Sequence, residues 1–386
     1  MTGGDVVDDG LVVSRGGRIA YAGPSAGWAG APASLPPAAP GRLLLPGLVD
    51  VHCHGGGGAG FPDDDLAGIR AAIDAHRRRG TTTLVASLVS APPEVLRERI
   101  ALLAPLVAAG ELAGVHLEGP FLSPDQRGAH DPTALRPGDP DLLRDLLAVA
   151  PGAVVSVTLA PELPRAAELV AVLRAHGVLP SFGHTDADAL TVTTAVRAAA
   201  ATGPVSATHL FNAMAPFASR APGPVAACLA AAARGDLVVE LIGDGVHLDP
   251  QTVAAVLDVA GPDQVALVTD AMAAAGMPDG RYQLGALPVQ VTGGTARLAR
   301  DDGEPGAIAG GTARLVDVLR CTVRDAGVPL GTAALAATRT PARLLGLGPE
   351  VGELTAGARA DVLITDADLE PVAVLRGGAW VHREEP

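Results

Sequence analysis

Lysine is absent from this 386-residue chain; every one of its 28 basic residues is arginine. Any cationic contact therefore falls to arginine or histidine. Aromatic residues make up only 2% of the chain against 48% hydrophobic residues overall, so a large core is available but must be built mainly from Ala, Val and Leu. Positive charge is also in deficit: 28 basic residues face 42 acidic ones, for a formal net charge of -14. A general nucleic-acid surface or an anionic-membrane surface needs a basic face, so both are excluded as expected partners. The three cysteines, Cys53, Cys228 and Cys321, are odd in number, far apart, and form no Cys-x-x-Cys pair. That argues against a disulfide framework or a thiolate zinc cluster and fits a reducing compartment. No leader pattern of basic then apolar residues opens the chain, and no run reaches the ~18 apolar residues of a membrane span. A cytoplasmic protein is expected.

The length suits a barrel of roughly 250 residues plus an accessory unit. Near the start, LVVS (11–14) and RIAYAG (18–23) flank a Gly-Gly pair in the manner of a hairpin, and a stretch containing Pro32, Pro36, Pro37 and Pro40 follows. The C-terminal segment, GELTAGARADVLITD and PVAVLRGGAWV, has the same strand-rich character. The expectation is one discontinuous β-sandwich domain from residues 1–45 and 351–386, around a barrel at 46–350. In that middle part, eight apolar or β-branched runs read as strands: 48–54, 82–87, 114–119, 154–160, 177–185, 206–212, 237–245 and 264–271. Helical spacing lies between them, as at 65–80 and 166–177, each closed by a glycine. Alternation of this kind predicts an α/β fold, a TIM-like (β/α)8 barrel, rather than a doubly wound sheet. The latter would want a phosphate-binding glycine fingerprint after its first strand; HGGGG at 54–58 carries histidine and no helix directly follows it.

Ionisable residues gather at the C-terminal ends of these strands, the rim on which barrel enzymes carry their active sites. His52 and His54 end the first strand, Glu118 the third, His184 the fifth, His209 the sixth and Asp270 the eighth, while His247 follows the seventh. Residues i and i+2 of a strand share a face, so His52 and His54 can converge on one ion while Cys53 points away. A buried strand-end carboxylate such as Glu118 needs a partner, and a metal is an economical one. With His184 and His209 it completes a Glu-His-His set of the kind that binds a hydrolytic metal with one position left for water. His116, two residues before Glu118, is either a supporting group or a core histidine. Many two-metal barrel hydrolases join their ions through a carboxylated lysine; here a bridge must come from a carboxylate, and Glu118 is best placed. Asp270 is the expected general acid/base, a helix N-cap being its alternative reading. His76 and His176, at helix ends, and His382, near the terminus, are expected at the surface or in caps.

Taken in order, HCHGGG, HLEGPFL, RGAHDP, FGHTDA, ATHLFNAM, SRAPG, GDGVHL and VTDAM resemble the N-acetylglucosamine-6-phosphate deacetylases of the amidohydrolase superfamily. The resemblance runs from GGRIAYAG to GELTAGARADVLI. It implies hydrolysis of N-acetylglucosamine 6-phosphate to glucosamine 6-phosphate and acetate. Glu118, His184 and His209 match the family's main metal site, and His52 and His54 match the second-metal histidines of its two-ion members. His130 matches a contact near the acetamido group. Asn212, Ala213, Arg220 and His247 match sugar-phosphate contacts, with Arg220 arriving from the neighbouring subunit of a homodimer. The implied cofactor is one or two divalent ions, zinc first, with iron, cobalt or manganese also accepted by such donors. The family's Leu-Ala-Gly-Ser segment reads Ile308-Ala309-Gly310-Gly311-Thr312 here, without the serine hydroxyl. The segment before the barrel is short for the family, so a first sandwich strand is expected to be missing. A deacetylase of the galactosamine epimer and a non-catalytic barrel that only binds are the alternatives.

Overall fold

A computed structural model describes residues 5–30, 41–63, 65–300, 304 and 306–383. The proline-rich stretch read at Pro32, Pro36, Pro37 and Pro40 lies outside the described residues. Eight parallel strands form the central sheet, in chain order: β1 Leu48–Asp50, β2 Thr81–Leu88, β3 Gly114–Glu118, β4 Val154–Leu159, β5 Leu179–Phe182, β6 Ser206–Ala207, β7 Val238–Leu241 and β8 Val265–Leu267. Each strand pairs with its sequence neighbour. The sheet closes on itself past the ends of β1 and β8. There the Asp270 N–H donates to the His52 carbonyl at 2.9 Å, and the His54 N–H to the Ala271 carbonyl at 2.6 Å. Below them, Thr269 Oγ1 donates to Asp50 Oδ2 at 2.6 Å. A TIM-like barrel results, as the alternating pattern predicts.

Helices α1 Leu66–Arg77, α2 Pro93–Ala108, α3 Pro140–Val149, α4 Ala166–Ala175, α5 Ala189–Ala200, α6 Gly223–Ala232, α7 Pro250–Ala260 and α8 Leu315–Arg324 follow the strands in turn. Aspartates start several of them: Asp65, Asp139, Asp188 and Asp249 each accept backbone N–H groups of the first turn, which would otherwise lack partners. Strand β2, TTTLVASL, is buried at every position, as a strand covered on both faces must be. Phe61, Phe121 and Phe182, three of the five phenylalanines, are fully buried, and small aliphatic side chains fill the rest of the core. Two further helices, α9 Leu330–Ala337 and α10 Arg339–Leu344, close the N-terminal end of the barrel. Leu344 of α10 packs there with Leu179, Val238 and Ala266 from the strands. Access to the barrel interior is thus directed to the opposite end.

The accessory unit is a small sandwich. The hairpin Gly10–Arg15 with Arg18–Pro24 turns at Gly16 and Gly17, both at positive φ. It packs through Ile19, Val12 and Ala22 onto Val362, Ile364, Leu375 and Leu44 of a four-stranded antiparallel sheet. That sheet joins Leu43–Pro46 to Val362–Thr365, Pro371–Arg376 and Ala379–Arg383, so both ends of the chain build it. A three-stranded meander at Gly280–Leu284, Leu287–Thr292 and Thr295–Leu298, between β8 and α8, was not foreseen from the sequence. Among the described residues, no helix is long and apolar enough to cross a membrane.

Candidate active site

Most of the strands are shorter than the sequence runs, and apart from Glu118 at the end of β3 the chemistry sits just beyond them. His184, His209 and Asp270 have φ of 48°, 26° and 47°, so the backbone leaves the extended conformation where these side chains enter the barrel mouth. Left-handed backbone at non-glycine residues costs of order 1–3 kcal/mol each and collects at functional sites. Asp270 is followed by a turn rather than a helix, so the N-cap reading is set aside. A cavity of about 240 Å³ opens above them, lined in part by His54, Glu118, His130, His184, His209, Asn212, Ala213, His247 and Asp270.

Glu118 is the hub. Its Oε1 lies 2.9 Å from His184 Nε2 and 2.8 Å from His209 Nε2, and its Oε2 lies 3.1 Å from His54 Nε2. His52 Nε2 and His54 Nε2 are 3.1 Å apart, and Asp270 Oδ1 sits 3.3 and 3.2 Å from them. The i, i+2 convergence read from the sequence is therefore present. Cys53 faces away, with its Sγ toward the Gly55 carbonyl and His76.

The outer nitrogens decide what the inner ones can do. His54 Nδ1 lies 3.1 Å from the Ser87 carbonyl, and His184 Nδ1 lies 2.9 Å from the Gln126 carbonyl. A carbonyl only accepts, so each Nδ1 carries a proton and a neutral ring presents an Nε2 lone pair to the cluster. His130 is the reverse. Its Nδ1 accepts the Ser90 backbone N–H at 3.1 Å, so its proton sits on Nε2, 3.3 Å from Glu118 Oε2. The His54 and His184 rings thus suit a cation, and donor atoms converge in two groups: Glu118 with His184 and His209, and His52, His54 and Asp270 with Glu118. Ligand atoms of His52, His54, Glu118 and Asp270 all lie within 4.8 Å of one another. His130 points a donor hydrogen at the same space.

Electrostatics bind the cluster tightly. Burial works to raise the Glu118 carboxyl, but the electrostatic attraction of the His52 and His130 imidazoles and hydrogen bonds from His130 and His184 hold it well below the usual range. Asp270 is likewise pushed up by burial and held low by the His52 charge and the His54 hydrogen bond, so it is a carboxylate at neutral pH. Burial moves His184 down to about 4. His116 is driven well below its usual value, by burial and then by the charge of His52. It lies beneath the site rather than in the pocket lining, 3.0 Å from Ser87 Oγ through Nδ1 and 2.8 Å from Thr158 Oγ1 through Nε2.

At the far side of the pocket, His247 Nδ1 donates to Asp244 Oδ2 at 2.8 Å. Burial lowers the His247 pKa, but this bond and the Asp244 charge outweigh it, so the pKa is raised. Asn212 and Ala213 both line the cavity, but the Asn212 backbone N–H is engaged by the His209 carbonyl at 3.0 Å, and its side-chain Nδ2 donates to the same carbonyl at 3.2 Å. Arg220 is exposed and is not among the residues lining its own chain's pocket; no arginine is. A Cβ at Gly311 would come within 2.4 Å of the Thr269 carbonyl, so a side chain there would force the backbone to shift. The Thr312 hydroxyl turns away to the Gly294 carbonyl and does not replace the missing serine. Sequence reasoning passed over Glu240, whose Oε2 lies 3.0 Å from His52 Nδ1. The available signal was a lone charge inside the apolar strand VVEL. It also misplaced His76, which is buried and meets the Gly55 carbonyl at 2.9 Å, because α1 folds beneath the glycine hairpin at 55–60. His176 is exposed at the end of α4, as read.

A sequence model of the amidohydrolase family matches residues 43–382. N-acetylglucosamine-6-phosphate deacetylase of Bacillus subtilis is 32% identical, covering 89% of this chain and 86% of its own length. N-acetylgalactosamine-6-phosphate deacetylase of Escherichia coli O157:H7 is 33% identical, over 85% of each chain. Among solved structures, a mutant of N-acetyl-D-glucosamine-6-phosphate deacetylase from Mycobacterium smegmatis, in complex with N-acetyl-D-glucosamine-6-phosphate, superposes with a TM-score of 0.88. It is 39% identical and is matched over 99% of this chain and 97% of its own.

Proposed function

The chain belongs to the amidohydrolase family, and from this membership we propose that it hydrolyses N-acetylglucosamine 6-phosphate to glucosamine 6-phosphate and acetate. The observation that carries the reading is the Glu118 hub, with imidazole lone pairs and the Asp270 carboxylate converging where a cavity meets the barrel rim. Glu118, His184 and His209 would hold one cation, and His52 and His54 with Asp270 and Glu118 would offer a second position. Zn²⁺ is the ion we assign, since imidazole and carboxylate donors suit it; Fe²⁺, Co²⁺ and Mn²⁺ are accepted by the same donors. A divalent cation there would lower the pKa of a coordinated water and polarise the amide carbonyl.

The chain's own groups do the rest. Asp270, ionised at rest, takes a proton from the attacking water on its free oxygen. It returns that proton to the amide nitrogen as the C–N bond breaks, so that acetic acid and a neutral amine leave, the acid then losing its proton to give acetate. His130 donates Nε2–H to the carbonyl oxygen as negative charge develops on it. Asn212, Ala213 and His247 face the sugar phosphate, and His247 gains basicity from Asp244. The remaining phosphate charge is met by Arg220 from a second copy of the chain in a homodimer. Two observations support this arrangement: among the described residues the pocket lining contains no arginine, and Phe217, on the Arg220 loop, is 60% exposed. The galactosamine relative makes the C4 epimer the alternative substrate. The free thiols of Cys53, Cys228 and Cys321 support a cytoplasmic location.

The test is Asp270→Asn in metal-loaded protein. Turnover should fall by roughly 10²–10⁴-fold with the fold intact. Near-normal turnover would remove Asp270 from the mechanism.

A further inference from the structure

His52 differs from the other inward-facing histidines in what fixes it. Its Nδ1 does not meet a backbone carbonyl but the carboxylate of Glu240, at 3.0 Å. Glu240 stands on β7, buried, and it touches both halves of the site. The same Oε2 accepts the His209 backbone N–H at 3.3 Å, and the Glu240 carbonyl accepts the Leu210 N–H at 2.9 Å. The His52 ring is further confined by two neighbours. His116 meets it edge-on with centroids 4.6 Å apart, and His209 stacks at 5.4 Å with planes 29° apart.

We propose that Glu240 is the positioning residue of the second cation position, holding His52 in the Nδ1–H tautomer with its Nε2 aimed beside that of His54. The inference rests on His52 and His54 being ligands, as read above. A carboxylate cannot donate, so the proton of a neutral His52 is confined to Nδ1 and its lone pair to Nε2. Charge adds to geometry. Glu118, Asp270 and Glu240 together offset all but one of the positive charges of two divalent cations, whereas Glu118 and Asp270 alone leave two. Glu240 therefore favours double occupancy, and its contact to the His209 N–H ties the segment bearing a first-ion ligand to the ring that serves the second.

The experiment is a titration of the chelator-stripped full-length protein with Co²⁺, read by calorimetry and by the cobalt absorption spectrum. The wild type should take up two equivalents. Glu240→Gln should weaken the second by roughly 10–100-fold and leave the first within about threefold. In a His52→Ala background Glu240→Gln should have a much smaller effect, since the ring it positions is gone and only its charge remains to act. An unaltered second equivalent, an equal loss of both, or an undiminished effect in the His52→Ala background would each overturn the proposal. A measurement independent of any variant's folding is the ¹⁵N spectrum of the Zn²⁺-loaded wild type. It should show a hydrogen-bonded proton on His52 Nδ1, and its absence overturns the proposal. A single equivalent in the wild type overturns the two-ion reading and this inference together, while acetate release, measured separately, still stands or falls on its own.

Discussion

His130 Nε2 lies 3.3 Å from Glu118 Oε2, and a neutral His130 can approach that carboxylate only as a donor, because its Nδ1 already accepts the Ser90 N–H. It is therefore prepared to give a hydrogen bond rather than a lone pair.

For His130→Ala the expected outcome is a kcat lower by roughly 10²–10³-fold, the range for loss of one donor to a developing oxyanion. KM and metal content should stay within about threefold of the wild type, since His130 gives no lone pair to the cluster. Loss of a metal equivalent, seen by elemental analysis, would instead make it a ligand.

Arg220 offers a test of subunit sharing. Arg220→Ala and Asp270→Asn each should disable every site of a homodimer. In a mixed dimer one site receives an intact Asp270 from one chain and an intact Arg220 from the other. Equal mixing with free exchange should therefore restore about a quarter of wild-type activity, half the dimers being mixed and half their sites whole. No recovery after demonstrated exchange would mean that Arg220 acts within its own chain or not at all.

The thiols give a pH prediction. Burial pushes Cys228 up to about 12, and burial with the hydrogen bond and charge of Asp325 does the same for Cys321. Both are protonated at pH 8, and the thiolate is the species that alkylates. Iodoacetamide should label neither appreciably in the folded protein at pH 8, and mass spectrometry after unfolding should find both reactive. Labelling of half-exposed Cys321 should rise with pH and should be faster in Asp325→Asn. Rapid labelling of native Cys321 at pH 8 would contradict the assignment.

Much of the barrel could be read from the sequence because a strand buried on both faces is a continuous apolar run, as in TTTLVASL, and because capping aspartates and terminal glycines punctuate the helices. His-x-His spacing likewise brings two imidazoles to one face wherever the chain is extended. The meander at 280–298 escaped, although Gly285 and the Gly293–Gly294 pair mark its turns. Partly exposed strands carry weaker patterning than buried ones. The burial of His76 and the pairing of Glu240 with His52 depend on residues far apart in the chain, and no local pattern encodes them.

The most direct measurement is acetate release by the Zn²⁺-loaded protein from N-acetylglucosamine 6-phosphate, from its unphosphorylated form and from the galactosamine epimer. The account predicts turnover in the ordinary enzymatic range of about 1–10³ s⁻¹ on the first. It also predicts a large loss of kcat/KM without the phosphate, and loss of activity on chelation that added metal restores. No acetate from N-acetylglucosamine 6-phosphate under these conditions, or undiminished release after removal of all metal, would contradict it.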